Sequence, residues 1–365
     1  MHSDTSLEPR RPEDIESRKL EHLLLTLEGG VEGPHTTWLE YVILIHNALP
    51  ELSLDDVDTS IEFLKYKLSM PLIISGMTGG TSESKTVNEK IGELAQKFRV
   101  GVGVGSQRAM LLKRSSSVIE TYAVVRKKAP EVPVIANIGA AQIKDLKVEE
   151  LEFLVDSIGA DILAIHLNPA QELVQVNGDK DLKGVEERIA EIVDRISVPV
   201  MIKEVGCGLS REVVFRLRRL GVKIFDVAGA GGTNWIAIEI IRGVKRGKVV
   251  GRELREWGIP TAAAVVEARN GAPDACIIAG GGVRTGLDIA RAIALGADLV
   301  SMARPILVAL MNSQADIYLR ELVEVLKYAM LLTGARNIRE LRRVPIVVTG
   351  PLNEWIKQRG LTIIK

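Results

Sequence analysis

Aromatic side chains are scarce in this chain. Phe, Trp and Tyr make up 4% of it, while 46% of the residues are hydrophobic. A core of any size must therefore rest on Val, Ile, Leu and Ala, the residues that fill parallel strands buried on both faces. Cysteine is scarcer still: Cys207 and Cys276 are the whole supply. Two such residues exclude a disulfide framework and a thiolate metal cage, and they point to a reducing, cytoplasmic setting. Net charge is absent as well, because 47 Lys and Arg balance 47 Asp and Glu. That balance excludes the broad basic field of a nucleic-acid binder. No run of about 18 apolar residues occurs, so no membrane span is expected. The opening segment, MHSDTSLEPRRPEDIESRK, lacks the apolar stretch of a signal peptide. Asn, Gln and Cys are few beside Glu, Lys and Arg, a balance associated with thermophilic proteins.

What is present is a rhythm. Eight short apolar runs recur: PLIISGM (71–77), VGVGVGS (100–106), PVIANIG (133–139), ADILAIHLN (160–168), PVMIKEVG (199–206), KIFDVAGAGG (223–232), DACIIAGGG (274–282) and ADLVSMARP (297–305). Each has strand length, and most end in Gly, Ser or Asn. Segments with helical spacing separate them, such as ESKTVNEKIGELAQKF, VEELEFLVDSIG and GLDIARAIALGA, and several close on a glycine. Strand alternating with helix means parallel strands. Eight units in a chain of 365 residues predict one α/β domain, a closed (β/α)8 TIM barrel. An open doubly wound sheet is the alternative. The expected layout is an N-terminal extension over 1–66, the barrel over 67–310 and a C-terminal helical tail over 311–365. The extension is expected to hold helices near PEDIESRKLEHLLLTLE and YVILIHNAL. The stretch 233–260 interrupts the sixth unit and is too long for an ordinary loop. Its Lys245, Arg246, Lys248 and Arg252 read either as a basic lid over the active face or as solvated surface.

The strongest chemical signal is IIAGGGVRTGLDIARAIALGADLVSMARP. A strand ends in three glycines, a helix follows, and the next strand ends at Met302, Ala303 and Arg304. Glycine admits backbone N–H groups close to an anion, and a helix N-terminus adds positive potential. In barrels this position commonly holds a phosphate. SGMTGG (75–80) is either a bed for a flat ring or a tight turn. Asn137 is costly in an apolar strand unless its amide is used, by a ring edge or by an inter-strand bond. Lys203 lies inside a strand, where it either faces an anionic cofactor or pairs with Glu204 or Asp226. HLNPAQE (166–172) gathers four polar side chains at one strand end, with His166 and Asn168 on one side and Gln171 and Glu172 on the following loop. Glu172 is the kind of hard oxygen donor that holds Mg²⁺ together with phosphate oxygens. GSQR (105–108) offers Ser106, Gln107 and the fork of Arg108 to a second anion. Arg18 and Lys19 stand side by side in the N-terminal helix, either solvated or beside a substrate. Cys207 has no adjacent His and reads as a small buried residue rather than a nucleophile.

Taken in order, SGMTGG, GSQR, ANIGA, HLNPAQE, the Lys203 strand, AGAGGTNW and GGGVRTG span roughly residues 18–305 and resemble the type 2 isopentenyl-diphosphate isomerases. HLNPAQE is the most specific of them, whereas GGGVRTG is shared across FMN barrels. The resemblance implies an FMN-linked barrel that interconverts isopentenyl and dimethylallyl diphosphate in isoprenoid biosynthesis. It also implies reduced FMN, NADPH as reductant, Mg²⁺, and a homo-oligomer, tetramer or octamer. FMN contacts would come from Met77, Thr78, Gly79, Ser106, Asn137, Lys203, Thr233, Gly281, Gly282, Arg284, Ala303 and Arg304. The diphosphate would be held by Arg18, Lys19, Ser106, Gln107, Arg108, His166 and Asn168. Gln171 would lie beside the alkene, with His166 and Lys203 as catalytic neighbours, and Glu172 would take Mg²⁺. Asn234 departs from the pattern, standing where many members carry serine, but leaves the hydroxyl of Thr233 in place. A 2-hydroxy-acid oxidase on the same scaffold would need a His base late in the barrel, and no His follows His166. A nucleotide dehydrogenase would need Cys207 as nucleophile, and a non-catalytic binding barrel would have no use for HLNPAQE.

Overall fold

The computed structural model describes residues 12–247 and 250–364. Eight strands pair in parallel into a closed barrel: β1 (Leu72–Ile74), β2 (Gly101–Gly103), β3 (Val134–Gly139), β4 (Ile162–His166), β5 (Val200–Lys203), β6 (Ile224–Asp226), β7 (Cys276–Ala279) and β8 (Leu299–Met302). Each lies within one of the eight apolar runs. β8 returns to β1, with Val300 opposite Leu72, so the sheet has no edge and the open alternative is excluded.

Alternation along the strands gives the barrel two unlike ends. Ile73, Ile135, Ile162, Ala164, Met201, Ile224, Ile278 and Leu299 fill the lower interior. Two residues further on, the side chains return to the same face, and there the strands present Ser75, Asn137, His166, Lys203, Asp226 and Ser301. The apolar end is closed by a hairpin that the sequence does not announce, Ile61–Phe63 paired with Tyr66–Leu68. Phe63 and Leu68 join the lower layer, and the Tyr66 hydroxyl donates to Asp161 Oδ1 at 2.8 Å.

The helix expected over YVILIHNAL is absent. Val42–Leu44 is a strand, antiparallel to Ile346–Val348, with Val42 buried and Ile43 exposed. β-branched residues with a period of two favour this outcome. The tail is therefore mostly helical, with Ala315–Thr333 and Gly350–Gln358 on either side of one strand. The stretch 233–260 contains a helix, Trp235–Val244, and a short 3₁₀ turn, Arg252–Glu256. Asn234 caps that helix, its Oδ1 accepting from the Ala237 N–H at 2.9 Å. Lys248 lies outside the described residues.

Two clamps of one design brace opposite sides of the barrel's lower rim. Arg126 donates to the carbonyls of Gly159, Pro130 and Val132 and to Asp161, whose Oδ2 accepts the Val134 N–H. Arg269 does the same with Gly296, Pro273, Ala275 and Asp298, whose Oδ2 accepts the Ile277 N–H. The first clamp joins β3 to β4 and the second joins β7 to β8. The sequence carries the repeat as RKKAPEVPVIA (126–136) against RNGAPDACIIA (269–279), and as Gly-Ala-Asp at 159–161 and 296–298.

Candidate active site

The C-terminal ends of the strands open on a cavity of about 300 Å³, within the range of small-molecule sites. Its floor is the polar layer. Lys203 Nζ donates to Asp226 Oδ2 at 3.1 Å, and the Ser301 hydroxyl donates to the same oxygen at 2.9 Å. Of the two uses considered for Lys203, the pairing with Asp226 is present, and the side chain also lines the cavity. Glu204 is not its partner. It accepts the N–H groups of Val205, Gly206 and Cys207 and so closes the turn after β5. Asn137 Nδ2 donates to the Val104 carbonyl at 3.2 Å, which turns its Oδ1 toward His166 Nδ1, 2.9 Å away. That contact places the imidazole proton on Nδ1 and leaves a lone pair on Nε2. Burial, helped by the charge of Lys203, pushes His166 down to about 4, so the ring is neutral near pH 7.

The glycine loops meet each other backbone to backbone. A Cβ on Gly281 would lie 2.1 Å from the Gly229 carbonyl oxygen, and one on Gly282 would lie 2.4 Å from that of Gly231. Both glycines have positive φ and line the cavity. Arg284 stitches the two loops, donating to the carbonyls of Gly231 (3.1 Å) and Gly282 (2.8 Å). Met77, Thr78, Ser106, Thr233, Ala303 and Arg304 complete this side of the wall. The Thr78 hydroxyl bonds to that of Ser84, so the cavity meets mainly its backbone. Gly79 does not line the cavity, and its missing side chain makes room for the Tyr122 ring. Asn234 is turned to the helix it caps and to the Arg255 carbonyl.

Pro169 starts a short helix, Pro169–Val174, so Gln171 and Glu172 stand on a helix rather than on a loop. Asn168 Nδ2 donates to Gln171 Oε1 (3.1 Å) and to Glu172 Oε1 (3.3 Å). Glu172 Oε2 accepts from Gln175 Nε2 at 3.2 Å and from the Asp179 N–H at 2.8 Å. Among the described residues no group of three or more His, Cys, Asp or Glu forms a metal cage. A cation on Glu172 would therefore draw most of its oxygens from a ligand. Arg108 lines the cavity, but its neighbour Gln107 does not. Gln107 is fully buried, with Nε2 donating to the Leu154 carbonyl and Oε1 accepting the Asn137 N–H. The expected substrate contact from its side chain is corrected to a brace between the β2 loop and β3.

Arg18 and Lys19 reach the wall from the helix Pro12–Glu28. His22 does so too, and sequence reasoning missed it together with Glu239. His22 Nε2 meets Glu239 Oε1 at 2.7 Å, Arg242 donates to Glu239 Oε2 at 2.6 Å, and Gln171 Nε2 stands 3.5 Å from Glu239 Oε1. Burial works against ionisation of Glu239, yet the bonds from His22 and Arg242 outweigh it and hold the carboxyl below its ordinary range. A lone carboxylate inside the apolar helix WIAIEIIRGV was the signal available. Arg242 and Arg246 both donate to Glu21, so Arg246 joins the helix Trp235–Val244 to the N-terminal helix. Burial pushes both thiols, Cys207 and Cys276, upward, which leaves them protonated and poor nucleophiles.

The model of the FMN-dependent dehydrogenase family matches residues 166–347, which take in β5 to β8 and the glycine loops. The isopentenyl-diphosphate delta-isomerase of Aeropyrum pernix is 47% identical over 354 residues, covering 95% of this chain and 94% of that protein. The chain belongs to the isopentenyl-diphosphate delta-isomerase family. A second member, from Archaeoglobus fulgidus, is 44% identical over 94% of this chain and 99% of its own length. The family shares its fold with flavin oxidases. A mandelate oxidase holding a monooxide FMN adduct superimposes with a TM-score of 0.60 at 18% identity, over 90% of this chain and 92% of that one. A lactate oxidase of Pediococcus acidilactici gives 0.65 at 14%, over 94% and 96%. Identities this low show the fold alone, and this isomerase-family chain has no His after His166.

Proposed function

We propose that this protein interconverts isopentenyl and dimethylallyl diphosphate on reduced FMN. The observation that carries the reading is one cavity in which the glycine loops after β6 and β7 face the Asn168–Gln171–Glu172 cluster across the Lys203 floor. These residues fit FMN. The Gly281–Gly282 turn with Ala303 and Arg304 suits its phosphate, and Lys203, anchored by Asp226, suits an anionic ring. Met77, Thr78, Ser106, Asn137, Thr233 and Arg284 would line the rest of its bed.

Moving the double bond requires a proton gained at one carbon and lost at another, with cationic charge between. Reduced FMN, when bound, supplies negative charge and a nitrogen able to exchange protons beside the alkene. Lys203 fixes where that negative charge sits. Gln171 is too weak an acid to act alone. Its amide, set between Asn168 and Glu239, orients the alkene. Arg18, Lys19, Arg108, His166 and Asn168 hold the diphosphate, and binding energy gathered there positions the small apolar end. Glu172 holds Mg²⁺ jointly with diphosphate oxygens, as single carboxylates commonly do. In this proposal NADPH reduces the flavin, the chain assembles as a tetramer or octamer, and it works in the cytoplasm. Apolar Ile43 and Val347, facing outward from the two-stranded ribbon, support assembly, and two unpaired cysteines support a reducing compartment. Among the described residues no helix is long and apolar enough to cross a membrane.

The test is an anaerobic assay with isopentenyl diphosphate, Mg²⁺ and FMN, with and without dithionite. Allylic product from the reduced sample only is expected. A folded, FMN-loaded protein whose yellow colour dithionite has bleached and that still forms none would overturn the assignment.

A further inference from the structure

The Gly79–Gly80 pair and Tyr122 form an arrangement that flavin binding does not account for. Tyr122 sits on the helix Ser116–Lys128 and is fully buried. Its ring fills the space beside Gly79, where a Cβ would approach the ring to 2.0 Å. Its hydroxyl donates to the Ser106 carbonyl at 3.0 Å and accepts from Lys19 Nζ at 2.6 Å. Lys19 Nζ also donates to the carbonyls of Gly79 and Ser106. An ammonium has three protons to give, and these acceptors are two carbonyls and a phenol from three separate elements. The neighbouring backbone is pinned as well. Gly80 N–H donates to Thr121 Oγ1 at 2.8 Å, and Asn88 Nδ2 bridges the carbonyls of Thr78 (3.3 Å) and Thr121 (2.8 Å).

We propose that Tyr122 is a positioning residue that fixes the Lys19 charge at the cavity wall and so sets affinity for a diphosphate. The point rests on the reading of the cavity as a diphosphate site. Lys19 reaches the wall from an N-terminal helix packed over the barrel, on a side chain with four rotatable bonds. Left to itself such a side chain samples many positions. The phenol holds it at one, because Tyr122 is itself immobilised by burial and by the Ser106 carbonyl. The two glycines have a role in this arrangement, since any side chain at Gly79 would displace the ring.

The experiment is a double-mutant cycle on the FMN-loaded protein, with Tyr122→Phe, Lys19→Ala and the pair, read as inorganic pyrophosphate affinity by calorimetry. Phenylalanine keeps the ring in its slot and removes only the hydroxyl. A hydrogen bond to a charged group is worth about tenfold or somewhat more in affinity. The expected result is a loss of about tenfold for Tyr122→Phe in the Lys19 background and no further loss once Lys19 is alanine. In steady state the same variant raises KM and leaves kcat and flavin affinity nearly unchanged. Unaltered pyrophosphate affinity, or an equal loss in both backgrounds, overturns the proposal, because a hydroxyl that merely supports the fold would act independently of Lys19. Pyrophosphate coupling in a protein with no isomerase activity would sink the proposed reaction and leave the Tyr122–Lys19 link standing.

Discussion

At His166 a single hydrogen bond decides which ring nitrogen carries the proton. Asn137 Oδ1 claims the Nδ1 proton, burial holds the ring well below its ordinary 6.5, and Nε2 is left as an acceptor in the cavity proposed to take the diphosphate. An imidazole in that state cannot donate to a phosphate oxygen until it gains a proton, so diphosphate binding near pH 7 should take up protons. Pyrophosphate calorimetry in buffers of different ionisation heat measures this, and His166→Gln, which donates without a proton, should abolish that share of the uptake. Buffer-independent heats in the wild type count against it. The sign for stability is also defined. The unfolded chain protonates this His below about pH 6.5 while the folded chain does so only near 4, so its contribution is complete above 6.5 and is lost as pH falls through that window. Arg108→Ala removes a different kind of donor, a permanent charge. The expected loss is about 3 kcal/mol, or about a hundredfold, mostly in KM, and an unchanged KM would remove Arg108 from the diphosphate set. Single residues were legible where chemistry contradicted context. His166, Asn168, Gln171 and Glu172 stood out as adjacent polar groups, and Lys203 as a charge in a strand. Gln107 misled because adjacency to Arg108 says nothing of direction. Glu239 was overlooked because its partner His22 lies 217 positions away in the chain.

At the scale of elements, the eight strands were legible because they are buried on both faces and bounded by turn formers. The pieces that failed are short and held by tertiary partners. Val42–Leu44 becomes a strand only because Ile346–Val348 lies beside it, and the hairpin at 61–68 exists because the barrel's apolar end needs filling. The two arginine clamps belong to the same class, since each closes across two βα units. They carry a stability prediction. Arg126 and Arg269 satisfy several buried carbonyls as well as one aspartate. Alanine at either position leaves that aspartate with its outer cation only, Lys65 for Asp161 and Arg342 for Asp298. Each substitution should cost about 1.5–3 kcal/mol, the range for losing hydrogen bonds to a charged group. Arg195→Ala, which removes exposed pairs with Glu149 and Glu191, should cost less than about 1 kcal/mol. Denaturant midpoints of the three variants compare them directly. Similar midpoints for all three would mean that the clamps contribute no more than surface pairs.

Across the whole molecule, the division of the barrel into an apolar end and a polar end separates what the fold needs from what the site needs. The lower layer is hydrocarbon from seven of the eight strands plus Phe63 and Leu68 of the hairpin. The upper layer keeps Lys203, Asp226, His166 and Asn137 from water at a cost met by their mutual hydrogen bonds. Stability should therefore respond at one end without a response at the other. Phe63→Ala opens a cavity in the plug and should lower stability by about 3–5 kcal/mol. It should also leave flavin affinity, KM and kcat unaltered at a temperature where the variant is fully folded, because the packed layer from Ile73 to Leu299 lies between the plug and the floor. Thermal unfolding and steady-state kinetics on the same preparation decide it. A fall in kcat that tracks the loss of stability would show that the two layers move together, and that the floor on which Lys203 stands owes its position to packing at the far end of the barrel.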